Sequence, residues 1–109
     1  AASSIGSLTR FGADETQVVE VSGVAPIPAE ATAVALNVTG VDASENTNLR
    51  LFPAASAVPT ISNLNLIGGG PPRPNAVTVG LSDAGGVGIY NFAGEVDVVI
   101  EVVGYYIPR

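Results

Sequence analysis

Glu95, Asp97 and Glu101 are the side chains of this sequence best spaced to do chemistry. Paired carboxylates can hydrolyse a glycosidic bond without His or Cys, one acting as acid and the other as base or nucleophile. If this stretch is a strand, Glu95, Asp97, Val99 and Glu101 share a face, and strand rise separates the Cα atoms of Glu95 and Asp97 by about 6–7 Å. The same acids serve equally well as the solvated face of a sheet that keeps its edge soluble. No Trp is present to stack a sugar ring. The solvated face is therefore preferred, no catalytic residue is assigned, and the chain is expected not to be an enzyme.

Four further groups could bind. Asp42, Glu45, Asn46 and Asn48 gather oxygen ligands in a short span, as calcium requires, with Asp14 and Glu15 as additions if the N-terminal stretch folds nearby. Their spacing is not that of a calcium-binding hand, so an ordinary hairpin loop is the plainer expectation. Asp42, Glu45 and Asn46 are kept as a weak Ca²⁺ site, and no other cofactor is expected. Asn63 and Asn65, two residues apart on one strand face, offer amide donors and acceptors to a glycan or peptide. Asn37 lies in the middle of another strand. These amides could instead bond neighbouring backbone where a sheet bends. Asn37-Val38-Thr39 is also a glycosylation sequon, but it falls mid-strand. Tyr90 and Phe92 share a face by alternation, whereas Tyr105 and Tyr106 point to opposite faces, so at least one tyrosine should face outward and could anchor a partner. Arg73, a lone cation in a Gly-Pro-rich segment, could clamp a carboxylate.

Composition excludes most other chemistry. The 109 residues contain no Cys and no His, and all four of the basic residues are Arg. Disulfide, thiolate, imidazole and Schiff-base chemistry are therefore absent. The net charge of −6 comes with no basic cluster. Nucleic acid and anionic membranes, which need a positive footprint, are poor partners. No apolar run reaches the ~18 residues of a membrane span. The start at Ala1-Ala2 is compatible with trimming after a small-residue cleavage site and equally with a fragment.

The elements that must position these groups read as strands. Hydrophobic residues make up 47% of the chain, and much of that is Val and Ala, a mixture that favours pleated sheet over amphipathic helix. Residues 1–15 are small and polar and suggest an arm across the surface, leaving residues 16–109 as one domain. Strands are expected at Gln17–Val21, Ala31–Val41, Asn48–Phe52, Ser62–Leu66, Ala76–Leu81, Val87–Phe92 and Val96–Tyr106. In the second of these, Thr32, Val34, Leu36 and Val38 alternate with Ala33, Ala35, Asn37 and Thr39. The second and third read as a hairpin. Gly68–Pro74 is expected to be an irregular loop. Ser82–Gly86 and Asn91–Gly94 are turns with glycines where positive φ is needed. Seven short strands without a helix predict an all-β fold, a two-sheet antiparallel β-sandwich, with a small barrel as the alternative.

Five pieces in order, Leu8-Thr9-Arg10, Val19-Glu20-Val21-Ser22-Gly23, the run from Ala31 to Thr39, Ser62-Asn63-Leu64-Asn65 and Val102-Val103-Gly104-Tyr105-Tyr106, span nearly the whole chain. Together they resemble a β module that recurs in secreted and surface proteins of actinobacteria and related high-GC bacteria, often beside wall hydrolases or adhesins. Two positions depart from it: the acidic residue usual before Thr9-Arg10 is missing, and Glu101 stands where Asp is more common. The resemblance implies an accessory or structural part at the cell surface, outside the cell or on a virion, and supplies no active-site residue. Two functions follow as expectations. The first is a self-associating subunit of a surface layer, filament or virion coat, using the N-terminal arm, the small faces at Ala31, Ala33 and Ala35, and valine-rich strands to contact copies or other surface proteins. The second is a monomeric module that binds cell-envelope glycan or peptide. A hydrolase is a distant third.

Overall fold

The computed structural model describes residues 3–4, 8–24 and 26–109. Eight strands and no helix run through them: β1 (Ser3–Ser4), β2 (Glu15–Glu20), β3 (Ala33–Val41), β4 (Thr47–Pro53), β5 (Leu64–Leu66), β6 (Arg73–Gly80), β7 (Gly86–Asn91) and β8 (Asp97–Tyr106). They make two four-stranded antiparallel sheets, the first ordered β1-β8-β3-β6 and the second β2-β7-β4-β5. The sheets stack as a sandwich and do not close into a barrel.

Period-two alternation builds the interior. Val34, Leu36 and Val38 of β3 point in together with Val98, Ile100 and Val102 of β8, and they meet Leu49 and Leu51 of β4 and Val87 and Ile89 of β7. Each such side chain contributes about 1.5–3 kcal/mol relative to exposure. Valine and isoleucine suit this layer because their branched Cβ packs against the pleat. One buried polar group closes an end of it. Asn91, fully buried, donates from Nδ2 to the carbonyls of Gly12 and Gly94, both at 2.9 Å, and accepts from the Thr47 hydroxyl at 2.7 Å. Gly94 turns the chain there with φ near +60°, and a Cβ at that position would lie 2.5 Å from the Glu45 side chain.

Several expectations need correction. β3 and β4 are not a hairpin, because they lie in different sheets; alternation along a strand is the same whether the next strand pairs with it or crosses over. Within the described residues β4 and β5 are the only consecutive strands that share a ladder. Arg73 and Pro74, expected in the irregular loop, begin β6 and pair with Gly40 and Thr39. Proline is tolerated there because β6 is the edge of its sheet. The N-terminal stretch also joins the fold earlier than its polarity suggested. Phe11 is fully buried in the core and exchanges backbone hydrogen bonds with Val96 at 2.9 and 3.1 Å, and β2 already begins at Glu15. Ser3 and Ser4 pair with Val102 and Glu101 of the same chain's β8.

Candidate ligand-binding surface

Two of the carboxylates spaced for hydrolysis, Glu95 and Asp97, converge on a cation, whereas Glu101 lies further along β8 opposite Asn37. Arg10 Nε lies 3.4 Å from Glu95 Oε1, and Nη1 lies 3.0 Å from Asp97 Oδ2 and 3.6 Å from Asp42 Oδ2. Nη2 donates to the Asp42 carbonyl at 2.9 Å. Partial desolvation disfavours the charged guanidinium, but the Glu95 hydrogen bond and the charges of Asp97 and Asp42 outweigh it and raise the Arg10 pKa above its ordinary value. The sequence had shown Arg10 only as part of a motif. Its partners lie 32 to 87 residues away, and only the sandwich brings them together.

The proposed calcium ligands are likewise engaged elsewhere. Asn46 Oδ1 accepts from the Gly68 amide at 3.0 Å, Asp14 Oδ1 from the Tyr90 hydroxyl at 2.5 Å, and Glu15 Oε1 from the Gly12 amide at 2.6 Å. Asp42 faces Arg10, and Glu45 packs against Gly94. Among the described residues, no three acidic side chains are gathered closely enough to share an ion.

The other candidates come together on one side of the molecule. β4 and β7 place Arg50 opposite Tyr90, on the outer face of the second sheet. The guanidinium carbon sits 5.2 Å from the centre of the Tyr90 ring and 5.7 Å from that of Phe92, a cation–π arrangement. Arg50 Nε donates to Asn48 Oδ1 and Nη1 to the Pro59 carbonyl, each at 3.0 Å, so the head group is held on both sides. Tyr90 and Phe92 do share a face, as alternation implied. The hydrogen bond to Asp14, assisted by desolvation and by the charge of Asp14, raises the Tyr90 phenol pKa; Arg50 works in the opposite direction and is outweighed. Below this stack Phe52 follows the same parity and lies on Gly88, where a Cβ would meet the ring at 2.6 Å. A glycine is required at 88 for that close approach, and it leaves Phe52 only 5% exposed although it faces away from the core.

Next to this face the edges of the two sheets, β5 and β6, enclose a cleft of about 310 Å³ lined by Asn63, Leu64, Asn65, Arg73, Pro74 and Asn75. Asn48 faces Asn65 in the β4–β5 register, which joins the Arg50 stack to the cleft. The amides divide their tasks. Asn63 is structural: its Oδ1 accepts from the Leu51 amide at 2.7 Å, and its carbonyl accepts from Asn75 Nδ2 at 2.6 Å. Asn65 is exposed, and its Oδ1 accepts from the Ser62 hydroxyl. Arg73 is exposed at the lip and makes no ion pair among the described residues. A larger cavity of about 520 Å³ opens at the opposite end, between Pro53–Ser56 and Leu81–Ala84. Its side chains are short and bring no set of donors together.

Tyr105 and Tyr106 stand apart from this surface. They pair with Val34 and Ala33 at the far end of β8. They take opposite faces, Tyr105 beside inward-pointing Val34 and Tyr106 beside Ala33, and at the end of the strand both are exposed, at 45% and 54%. The β3–β8 register shifts between Ala35 and Leu36, where Val103 is passed over, and this bulge sets which of the two tyrosines lies on which face without removing the alternation between them. Four of the six residues singled out as binding candidates, Asn63, Asn65, Arg73 and Tyr90, therefore meet on one side, and Tyr105 and Tyr106 do not. Arg50 was missed; its position in β4 with outward parity was the one signal in the sequence. No family model matches this chain, and no curated protein matches it.

Proposed function

We propose that the protein is a non-catalytic binding module that holds an extended glycan of the cell envelope, outside the cell, across the outer face of the second sheet and the β5–β6 cleft. The observation that carries this reading is the convergence of Asn48, Asn65, Asn75, Arg50 and Arg73, amides and cations on adjoining strands, beside a cleft wide enough for one or two sugar units. Amides suit a polyhydroxy ligand because each offers donors and an acceptor together. The resemblance to accessory modules of secreted bacterial proteins agrees with it. Pairing of β1 with the β8 of its own chain favours a monomeric binder over subunits linked by exchange of that strand. Purified insoluble envelope glycan should retain the domain in a pull-down, and Asn65→Ala with Arg73→Ala should reduce retention several-fold. Absence of retention on every envelope fraction would sink the reading.

A self-associating module is the second reading. It is supported by exposed Val99, Val103, Tyr105, Tyr106 and Ile107 in and after β8, an apolar surface of the kind that marks contact sites. Light scattering over a concentration series tests it: oligomers of defined size would raise it above the first reading, and a monomer throughout would remove it.

A further inference from the structure

The cations of this acidic protein are unevenly employed. Arg10 is surrounded by Asp42, Glu95 and Asp97. Arg50 and Arg73 lie on the proposed binding side, and neither faces a carboxylate within ion-pair distance among the described residues. Six of the ten acidic residues, Asp14, Glu15, Asp42, Glu45, Glu95 and Asp97, lie at the end of the sandwich where β6 begins, and most are engaged there: Asp42, Glu95 and Asp97 by Arg10, Asp14 by the Tyr90 hydroxyl and Glu15 by the Gly12 amide.

The aromatic rings sharpen the point. A neutral sugar is usually gripped by laying its apolar face on an open ring. Here the Arg50 guanidinium lies over Tyr90 and beside Phe92, which stays 53% exposed, so a cation fixed in place by Asn48 and Pro59 stands among the rings. A guanidinium held in advance loses little freedom on binding, and its planar fork matches a carboxylate. Resting on the binding function proposed above, we infer that the ligand is an acidic glycan whose sugar carboxylates engage Arg50 and Arg73 while its hydroxyls engage Asn65 and Asn75.

Affinity electrophoresis tests this with two probes, polygalacturonate and the same polymer with its carboxyl groups reduced to alcohols. Retardation by the acidic polymer, lost with the reduced one and weakened by salt, is the expected result. Arg73→Gln should weaken it about three- to tenfold, as expected for an exposed charge-assisted contact. Arg50→Lys keeps the charge but loses the fork and should weaken it by a comparable factor. Arg109→Gln, the same charge change at a distance from the cleft, should leave it intact. Far-ultraviolet circular dichroism establishes that each variant is folded. Equal retardation by both polymers would overturn the carboxylate assignment and leave glycan binding standing. So would retention on neutral envelope glycan without retardation by polygalacturonate. Failure with both polymers and with every envelope fraction would overturn the binding function itself.

Discussion

Arg10 and Arg73 are the same residue on the same small protein, yet they do opposite things. Arg10 is spent internally: it ties the segment before β2 to the β3–β4 loop and to the start of β8 through three carboxylates. Arg73 is displayed at the lip of a cleft at the start of an edge strand. The asparagines divide in the same way. Asn91 is buried with its side-chain donors and acceptor all used at the end of β7, whereas Asn65 stands exposed on β5. Residue type alone therefore says little about role; the number of partners converging from other strands says much more.

The largest expected effect falls on the internal side of this division. Asn91→Ala should cost about 2–4 kcal/mol in chemical denaturation, because it strands the carbonyls of Gly12 and Gly94 and the Thr47 hydroxyl in the interior. A loss of a few tenths would break the comparison. Arg10→Gln should destabilise less, and the gap from the parent should narrow as salt is added, since its partners are partly exposed. Arg73→Gln should leave the denaturation curve unmoved while weakening ligand retention. If Arg73→Gln destabilised as much as Arg10→Gln, the two arginines would not differ in kind.

The smallest effect is spectroscopic. Tyr90 should ionise above the ordinary phenol value in an alkaline titration followed at the phenolate absorbance, because Asp14 holds its proton. A phenol whose folded pKa is raised stabilises the fold fully below the unfolded value near 10 and loses that contribution as pH climbs through the folded value. Asp14→Asn should lower the Tyr90 midpoint. A Tyr90 midpoint unchanged by Asp14→Asn would mean that the Asp14 contact is absent.

Much of the fold was legible in the sequence, because alternation reports directly on which side of a strand is buried. The inward set Val34, Leu36 and Val38 and the shared face of Tyr90 and Phe92 both followed from parity. Pairing did not follow. Nothing in residues 42–47 distinguishes a turn that keeps β4 beside β3 from one that sends it to the other sheet, and the hairpin reading failed for that reason. Phe11 was hidden by polar neighbours, since a single apolar residue has no period. At the binding surface, Asn63, Asn65 and Arg73 were chosen singly, but their convergence depends on two sheet edges meeting, which no local pattern encodes. The Arg50 stack is a cross-strand contact between residues 40 positions apart.

That same strand order governs how the chain reaches its fold in time. β3, central in its sheet, finds its partners in β6 and β8, with Leu36 opposite Val77 and Val102. Among the described residues the β4–β5 ladder is the one pairing open to neighbours in sequence, and it is three residues long on the β5 side. Almost every contact must therefore wait for distant segments to meet, and each long loop closed early costs entropy before any packing rewards it. Such a chain folds in roughly milliseconds to seconds, in the slow range for a domain of this size. Its β5–β6 cleft, built from the edges of both sheets, can exist only once both sheets are in place.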